Sequence, residues 1–224
     1  MKLVLGVILA TLVAFPVFAQ KTAADRLESA TSDISELMNA SDKGIPQDLI
    51  NKAQCVVVIP NLKKGGFIFG AQYGAGFVSC RKKDGVGWTA PAAVKSEGGK
   101  FGFLIGGAEA DVILLVMNQG GMNHLLQDKF TLGGEISAAA GPVGRDSTAQ
   151  TDAQMHAEIL SYSRQRGIYG GISLNGATLR EDDNANKELY GRALKNKEIL
   201  TDDVAVPPAA KPFVHALDKV SSRK

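Results

Sequence analysis

Between Gly65 and Gly107 the chain reads GGFIFGAQYGAGFVSCRKKDGVGWTAPAAVKSEGGKFGFLIGG, and this stretch limits what the rest can build. Short runs of Phe, Ile, Val and Ala are broken by glycine at close, irregular intervals. Each glycine in a helix interior is unfavourable by about 1 kcal/mol, which argues against soluble helices here. The apolar runs are also far shorter than the roughly 20 residues of a membrane-spanning helix. A period of two fits instead. Ala71, Tyr73, Ala75 and Phe77 fall on one side of a strand, and Gly70, Gln72, Gly74, Gly76 and Val78 on the other. A strand face with so little side chain lets a second layer approach or lets the sheet bend sharply. The expectation is an α+β domain: a curved, glycine-rich antiparallel β-sheet, open to barrel-like closure, covered by helices.

The chain has 224 residues, 45% hydrophobic and 21% charged, which suits one globular domain and not a disordered one. A formal charge of +2 does not mark a nucleic-acid binder. The first residues, MKLVLGVILATLVAFPVFAQ, carry Lys2, an apolar core from Leu3 to Val13, and Val17-Phe18-Ala19 before a cut after Ala19. That pattern is a secretory signal peptide. Pro16 and the short apolar core fit an uncleaved anchor poorly, and no Cys follows the cut to take a lipid. The expectation is a periplasmic or secreted protein with a signal peptide at 1–19, one domain at 20–200 and a Pro-containing tail at 201–224. In an oxidising compartment Cys55 and Cys80 either form a bridge or sit as two small buried hydrophobes.

Thr22 to Ala40 has helical periodicity through Leu27, Ala30, Ile34, Leu37 and Met38. Its net acidity disfavours an anionic bilayer, so packing on the sheet is expected. Asp48 to Gln54 reads as a short helix entered through Pro46, and CVVVI (Cys55 to Ile59) as a buried strand ended by Pro60. Phe67 to Cys80, Val86 to Val94 and Phe101 to Asn118 follow as strands. Arg81 to Gly85 and Lys95 to Lys100 read as turns. Gln119 to Asp128, Met155 to Gln165 and Glu181 to Leu194 read as helices, and Phe130 to Ala140 and Gly167 to Leu179 as small-residue strands. From Thr201 the chain reads as a linker, and its last dozen residues either dock a short helix or stay mobile.

Catalytic patterns are weak. Gly171-Ile172-Ser173-Leu174-Asn175 breaks the nucleophile-elbow pattern, and Gly99-Lys100 lacks the Ser or Thr of a phosphate loop. Asp152 and His156 are four apart with no third metal ligand nearby. Glu109 and Asp111 point to one face of an apolar strand and need a partner, for which Arg145 is the candidate in an ion pair. No cofactor is implied. The remaining signal is basic turns. A straight strand from Phe67 to Cys80 exceeds 40 Å at about 3.3 Å per residue, so Lys63 and Lys64 lie at one end and Arg81, Lys82 and Lys83 at the other. Lys95 and Lys100 return toward Lys63. Each lysine at an anionic bilayer contributes about 1 kcal/mol.

The ordered series IPQDLINKAQCVVVIP, KKGGFIFGAQYGAGFVSCR, GWTAPAAV, GGAEADVILLVMN, FTLGGEISAAAGPVGR, LSYSRQRGIYGGISLNGATL and NKELYG resembles the SYLF domain family over about Ile45 to Gly191. The resemblance implies a non-enzymatic lipid-binding domain, since eukaryotic members bind phosphoinositide-containing membranes and some yeast members bind and bundle actin. It places Lys63 and Lys64 at the family's positively charged approach to the first long strand. The family's amphipathic membrane helix is N-terminal, whereas Thr22 to Ala40 is acidic here. The partner expected for an exported member is therefore a common anionic phospholipid or membrane surface, through Lys63, Lys64, Lys95, Lys100, Arg81, Lys82 and Lys83. An envelope scaffold that binds another protein is the alternative.

Overall fold

The computed structural model describes residues 21–39, 44–66, 69–101, 106–144, 152–165 and 168–221, so the signal-peptide segment lies outside the described residues. The strands are β1 (Cys55–Gly66), β2 (Phe69–Cys80), β3 (Ala92–Phe101), β4 (Gly106–Val116), β5 (Lys129–Thr131), β6 (Ala138–Ala140), β7 (Ile159–Gln165), β8 (Ile168–Gly171) and β9 (Thr178–Glu181). The helices are α1 (Ala23–Asn39), α2 (Gln47–Lys52), α3 (Gln119–Leu125), α4 (Asp152–His156), α5 (Asp183–Tyr190), α6 (Asn196–Thr201) and α7 (Lys211–Val220). All nine strands join one sheet in the order β5-β9-β3-β2-β1-β4-β7-β6, with β8 on β7. The sheet is mixed: β6 runs parallel to β7, and the other pairings are antiparallel.

Each face of the sheet has its own core. On one, Val56, Val58, Phe77, Ile113 and Leu115 pack against α1, α2 and α7. On the other, Val57, Ile59, Val78, Val112 and Leu114 are closed over by Phe130 of β5, Leu179 of β9 and Ile199 of α6. Because β5 and β9 belong to the same sheet, it curls over its own second face as a half-barrel. Helix α1 forms where expected. Thr22 Oγ1 accepts from the Asp25 N–H while Asp25 Oδ2 accepts from the Thr22 N–H, a reciprocal cap. Ala23, Leu27, Ala30 and Ile34 make its buried stripe.

Strand β1 does not stop at Pro60. It continues to Gly66 through a bulge: between Val58 and Lys63 it advances five residues while β2 advances four, from Phe77 to Tyr73. Against β4 the same extra residue lies between Ile59 and Leu62. A strand proline is tolerated at such a site, and Asn61 takes the left-handed backbone there, φ 53°. The bulge presses β1 onto the glycine face of β2. A Cβ on Gly76 would lie 1.9 Å from the Val58 carbonyl oxygen, so only glycine allows this approach. The bulge also reverses the pleat. Val56 and Val58 face the α1 side, but beyond the bulge Leu62 joins the other core.

Cys55 and Cys80 stand opposite each other on β1 and β2 and are bridged. Four local expectations are corrected. Lys95 to Lys100 is not a turn but the middle of β3, held along its length by β2. Val86 to Val94 is mostly irregular, and the return strand starts at Ala92. Phe130 to Ala140 and Gly167 to Leu179 are each split into two short strands. Met155 to Gln165 is helical only to His156. The rest is β7, whose first four residues are buried and so show no strand alternation. The Pro-containing segment ends in a docked helix, with Phe213, Ala216, Leu217 and Val220 of α7 in the core.

Candidate functional site

Beyond the bulge, four strands run past the cover of α1 and set residues in rows. Glu97, Tyr73, Lys63 and Glu109 form one row across β3, β2, β1 and β4. Gly98, Gln72, Lys64 and Ala108 form the next, followed by Gly99, Ala71, Gly65 and Gly107. Because the bulge has reversed the pleat, Lys63 faces the α1 side beside Tyr73, whose ring is exposed. Between this bare platform and the first turns of α1 lies a cavity of about 590 Å³, lined among others by Lys21, Arg26, Ser29, Lys63, Tyr73 and Glu109.

The charges in that cleft are unequal. Lys21, Arg26 and Lys63 face one lining carboxylate, Glu109. Lys63 Nζ is 3.6 Å from Glu109 Oε1 with both side chains well exposed, a contact of little energetic weight. Arg26 is 3.9 Å from Asp182, which Lys95 already engages at 3.0 Å. Lys64 alternates to the other side of β1 from Lys63, and both line a second cavity of about 530 Å³ with Gly65, Ala71, Gln72, Tyr73 and Glu109. Lys100 takes part in the fold through its backbone pairing with Gly70, and its side chain lies outside the described residues.

The other expected cations are placed differently. Lys95 is turned inward against Asp182, which is buried and caps α5. Arg81 does not stand in the exposed turn. Its guanidinium lies 3.8 Å over the Trp88 ring and donates to Ser221 O, Ser221 Oγ and Ala53 O, and the residue is 6% exposed. It fastens the end of α7. Lys82 and Lys83 are exposed, but they line a groove of about 470 Å³ that also holds Asp84, Asp202 and Asp203.

Glu109 and Asp111 share a face, as expected, and Arg145, their expected partner, lies outside the described residues. Asp111 pairs with Arg164, its register neighbour on β7, at 2.7 Å, and accepts from the Asn61 N–H at 2.9 Å. Arg164 also pairs with Asp33 at 2.9 Å and with Glu36. Burial and the neighbouring Asp111 push the Asp33 carboxyl up to about 7, although Arg164 pulls it down. This cluster borders a cavity of about 780 Å³ containing Asn61, Glu109 and Ile168. Lys21 and Arg26 were not singled out from the sequence. Lys21 precedes α1 and Arg26 is flanked by Asp25 and Glu28, so no local charge count sets them apart, and only their placement beside Lys63 does. Among the described residues no group of three or more His, Cys, Asp or Glu could hold a metal ion. No helix among them is long and apolar enough to cross a membrane.

Fold and cleft together define an α+β domain built as a curled sheet with a helix-flanked cationic cleft. The chain belongs to the Ysc84 (SYLF) family: the profile described as Ysc84, Las17-binding protein actin regulator, matches residues 97–220. The chain is similar to Protein YSC84 of Saccharomyces cerevisiae, 32% identical over 181 residues, which is 80% of this chain and 38% of that protein. It is also 30% identical over 186 residues to SH3 domain-containing YSC84-like protein 1 of Bos taurus, 83% of this chain and 54% of that one. The chain thus spans about half or less of the length of these relatives.

Proposed function

We propose that this domain is a non-catalytic binding module of the cell envelope that docks reversibly on anionic phospholipid. The lipid phosphate enters the cleft between α1 and the sheet platform. The observation that carries the reading is the imbalance there: Lys21, Arg26 and Lys63 against Glu109. A phosphate oxygen accepts from ammonium and guanidinium donors, and charge-assisted bonds of this kind are the stronger ones. In sequence, Phe67-Ile68 follows Lys63-Lys64 closely and Phe103-Leu104-Ile105 follows Lys100, and apolar residues next to cations are the composition used by interfacial binders. The cleft takes over the role that the sequence reading gave to all the basic turns, because Arg81 and Lys95 are engaged internally.

Vesicle flotation tests this. Phosphatidylglycerol vesicles retain the protein at low salt, and pure phosphatidylcholine vesicles do not. Lys21→Ala with Lys63→Ala weakens binding roughly 30-fold, at about 1 kcal/mol per lysine. Equal binding to both vesicle types, or an unaffected double variant at unchanged stability, refutes the cleft. A protein partner is the second reading. It is favoured by the family description, Las17-binding, and by the exposed Tyr73 and Ile168 bordering the cavities.

A further inference from the structure

We infer that the domain seats a single phospholipid, with one acyl chain lying in a bare trough of the sheet beside the cationic cleft; the placing of its phosphate rests on the lipid reading above. The trough is the second cavity, of about 530 Å³. A ridge separates it from the cleft. Tyr73, Lys63 and Glu109 line both cavities and stand next to one another on β2, β1 and β4. Two residues further along each strand, strand alternation brings Gly99, Ala71, Gly65 and Gly107 to the same side as the ridge. No side chain in that row extends beyond a Cβ. Ala71 and Gly99 are exposed, and a Cβ on Gly99 would meet nothing nearer than the Gly70 carbonyl oxygen at 3.9 Å.

The chemistry of the two sides differs. The cleft side gathers Lys21, Arg26 and Lys63. The trough floor is backbone of β1 and β2, each already paired on both flanks, so it offers dispersion contact and no charge. Its wall is the Tyr73 ring, 48% exposed, and the stem of Lys63. A lysine stem covers apolar surface while its ammonium reaches for charge. Four strands at about 4.8 Å spacing make the row about 14 Å long. A ligand that lies over this ridge needs an anion at one end and an unbranched apolar chain at the other, which a phospholipid has.

Chain length is the readout. Decanoyl and myristoyl lysophosphatidylglycerol, each below its micelle concentration, are titrated calorimetrically into the full mature chain. An open trough covers about half of each methylene, which is worth about twofold in affinity per methylene, so the longer chain binds about 16-fold tighter. Ala71→Leu fills the floor at an exposed strand position and brings the two affinities together. The inference is overturned if the wild type binds both lipids equally, or if Ala71→Leu keeps the 16-fold ratio. Equal binding by a wild type that phosphatidylglycerol vesicles still retain removes the trough and leaves the lipid reading standing. The opposite failure is separated by monodecanoylglycerol, which has the chain without the phosphate and should bind more weakly than its phosphate counterpart. Equal affinity for that pair sinks the phosphate cleft, while the chain-length ratio upholds the trough. A dimer in solution that Ala71→Leu dissolves would give the row to a second copy of the chain and overturn the inference.

Discussion

Replacing Arg81 with alanine tests whether this cation is structural. Beyond the long contacts to Ala53 O and Ile50 O, three shorter interactions carry the loss. Stacking over Trp88 at 3.8 Å in a buried setting is worth about 1–2 kcal/mol. The two bonds to Ser221, from a charged donor, contribute about 1.5 kcal/mol each at the low end of the usual range. The sum is about 4 kcal/mol. For a chain of this size each kcal/mol moves Tm by about 2–4 °C, so the midpoint should fall by about 8–16 °C. Urea unfolding followed by far-ultraviolet circular dichroism gives the free energy without relying on the altered surroundings of Trp88, the sole tryptophan. Hydrogen exchange should show the loss concentrated in α7, whose C-terminal end the guanidinium holds. Arg81→Lys keeps the charge but not the planar fork, and should recover only a minority of the loss. A loss below 1 kcal/mol, or a change in vesicle binding by Arg81→Lys at unchanged stability, would refute the reasoning.

Other outcomes follow from the same geometry. Cys55→Ala with Cys80→Ala removes a bridge spanning 25 residues and should lower stability by about 3–4 kcal/mol, read as a drop in Tm that reducing agent reproduces in the wild type. Gly76→Val places a side chain against the Val58 carbonyl and should cost at least about 3 kcal/mol or abolish soluble expression, whereas Gly85→Ala, with open space around it, should lose no more than about 1 kcal/mol through its positive φ alone. The Asp33 carboxyl is raised in the folded state. Its stabilising contribution is therefore complete below about pH 4 and lost as pH rises through about 7, a fall of about 2 kcal/mol from pH 5.5 to 8.5 that Asp33→Asn should flatten in denaturation curves.

Much of the architecture was legible because its causes are local. The stripe Leu27, Ala30, Ile34 and the glycine alternation from Gly70 to Val78 each announce one element without reference to any other. What escaped was set by neighbours. Lys95 to Lys100 looks like a turn on its own and becomes strand because β2 offers it partners along its length. Ile159 to Tyr162 looks helical because both faces are covered. Arg81 sits in a basic run, and only the arrival of Ser221, distant in the chain, turns it inward. The cleft was half visible. Lys63 was found from its turn-like setting, while Arg26 was masked by the acidic remainder of its helix and Lys21 stood alone before it.

The extra residue at Pro60-Asn61 gives β1 two incompatible reading frames joined end to end. Kept in a regular pleat with no bulge to absorb that residue, each residue from Leu62 to Gly66 would fall on the other side. Leu62 would be thrust toward α1, and Lys63 would leave the cleft for the opposite surface with no change in composition. The address of that ammonium group therefore depends on the bulge closing around the extra residue, so a change at Pro60-Asn61 that straightens the strand matters more for binding than most substitutions elsewhere in it.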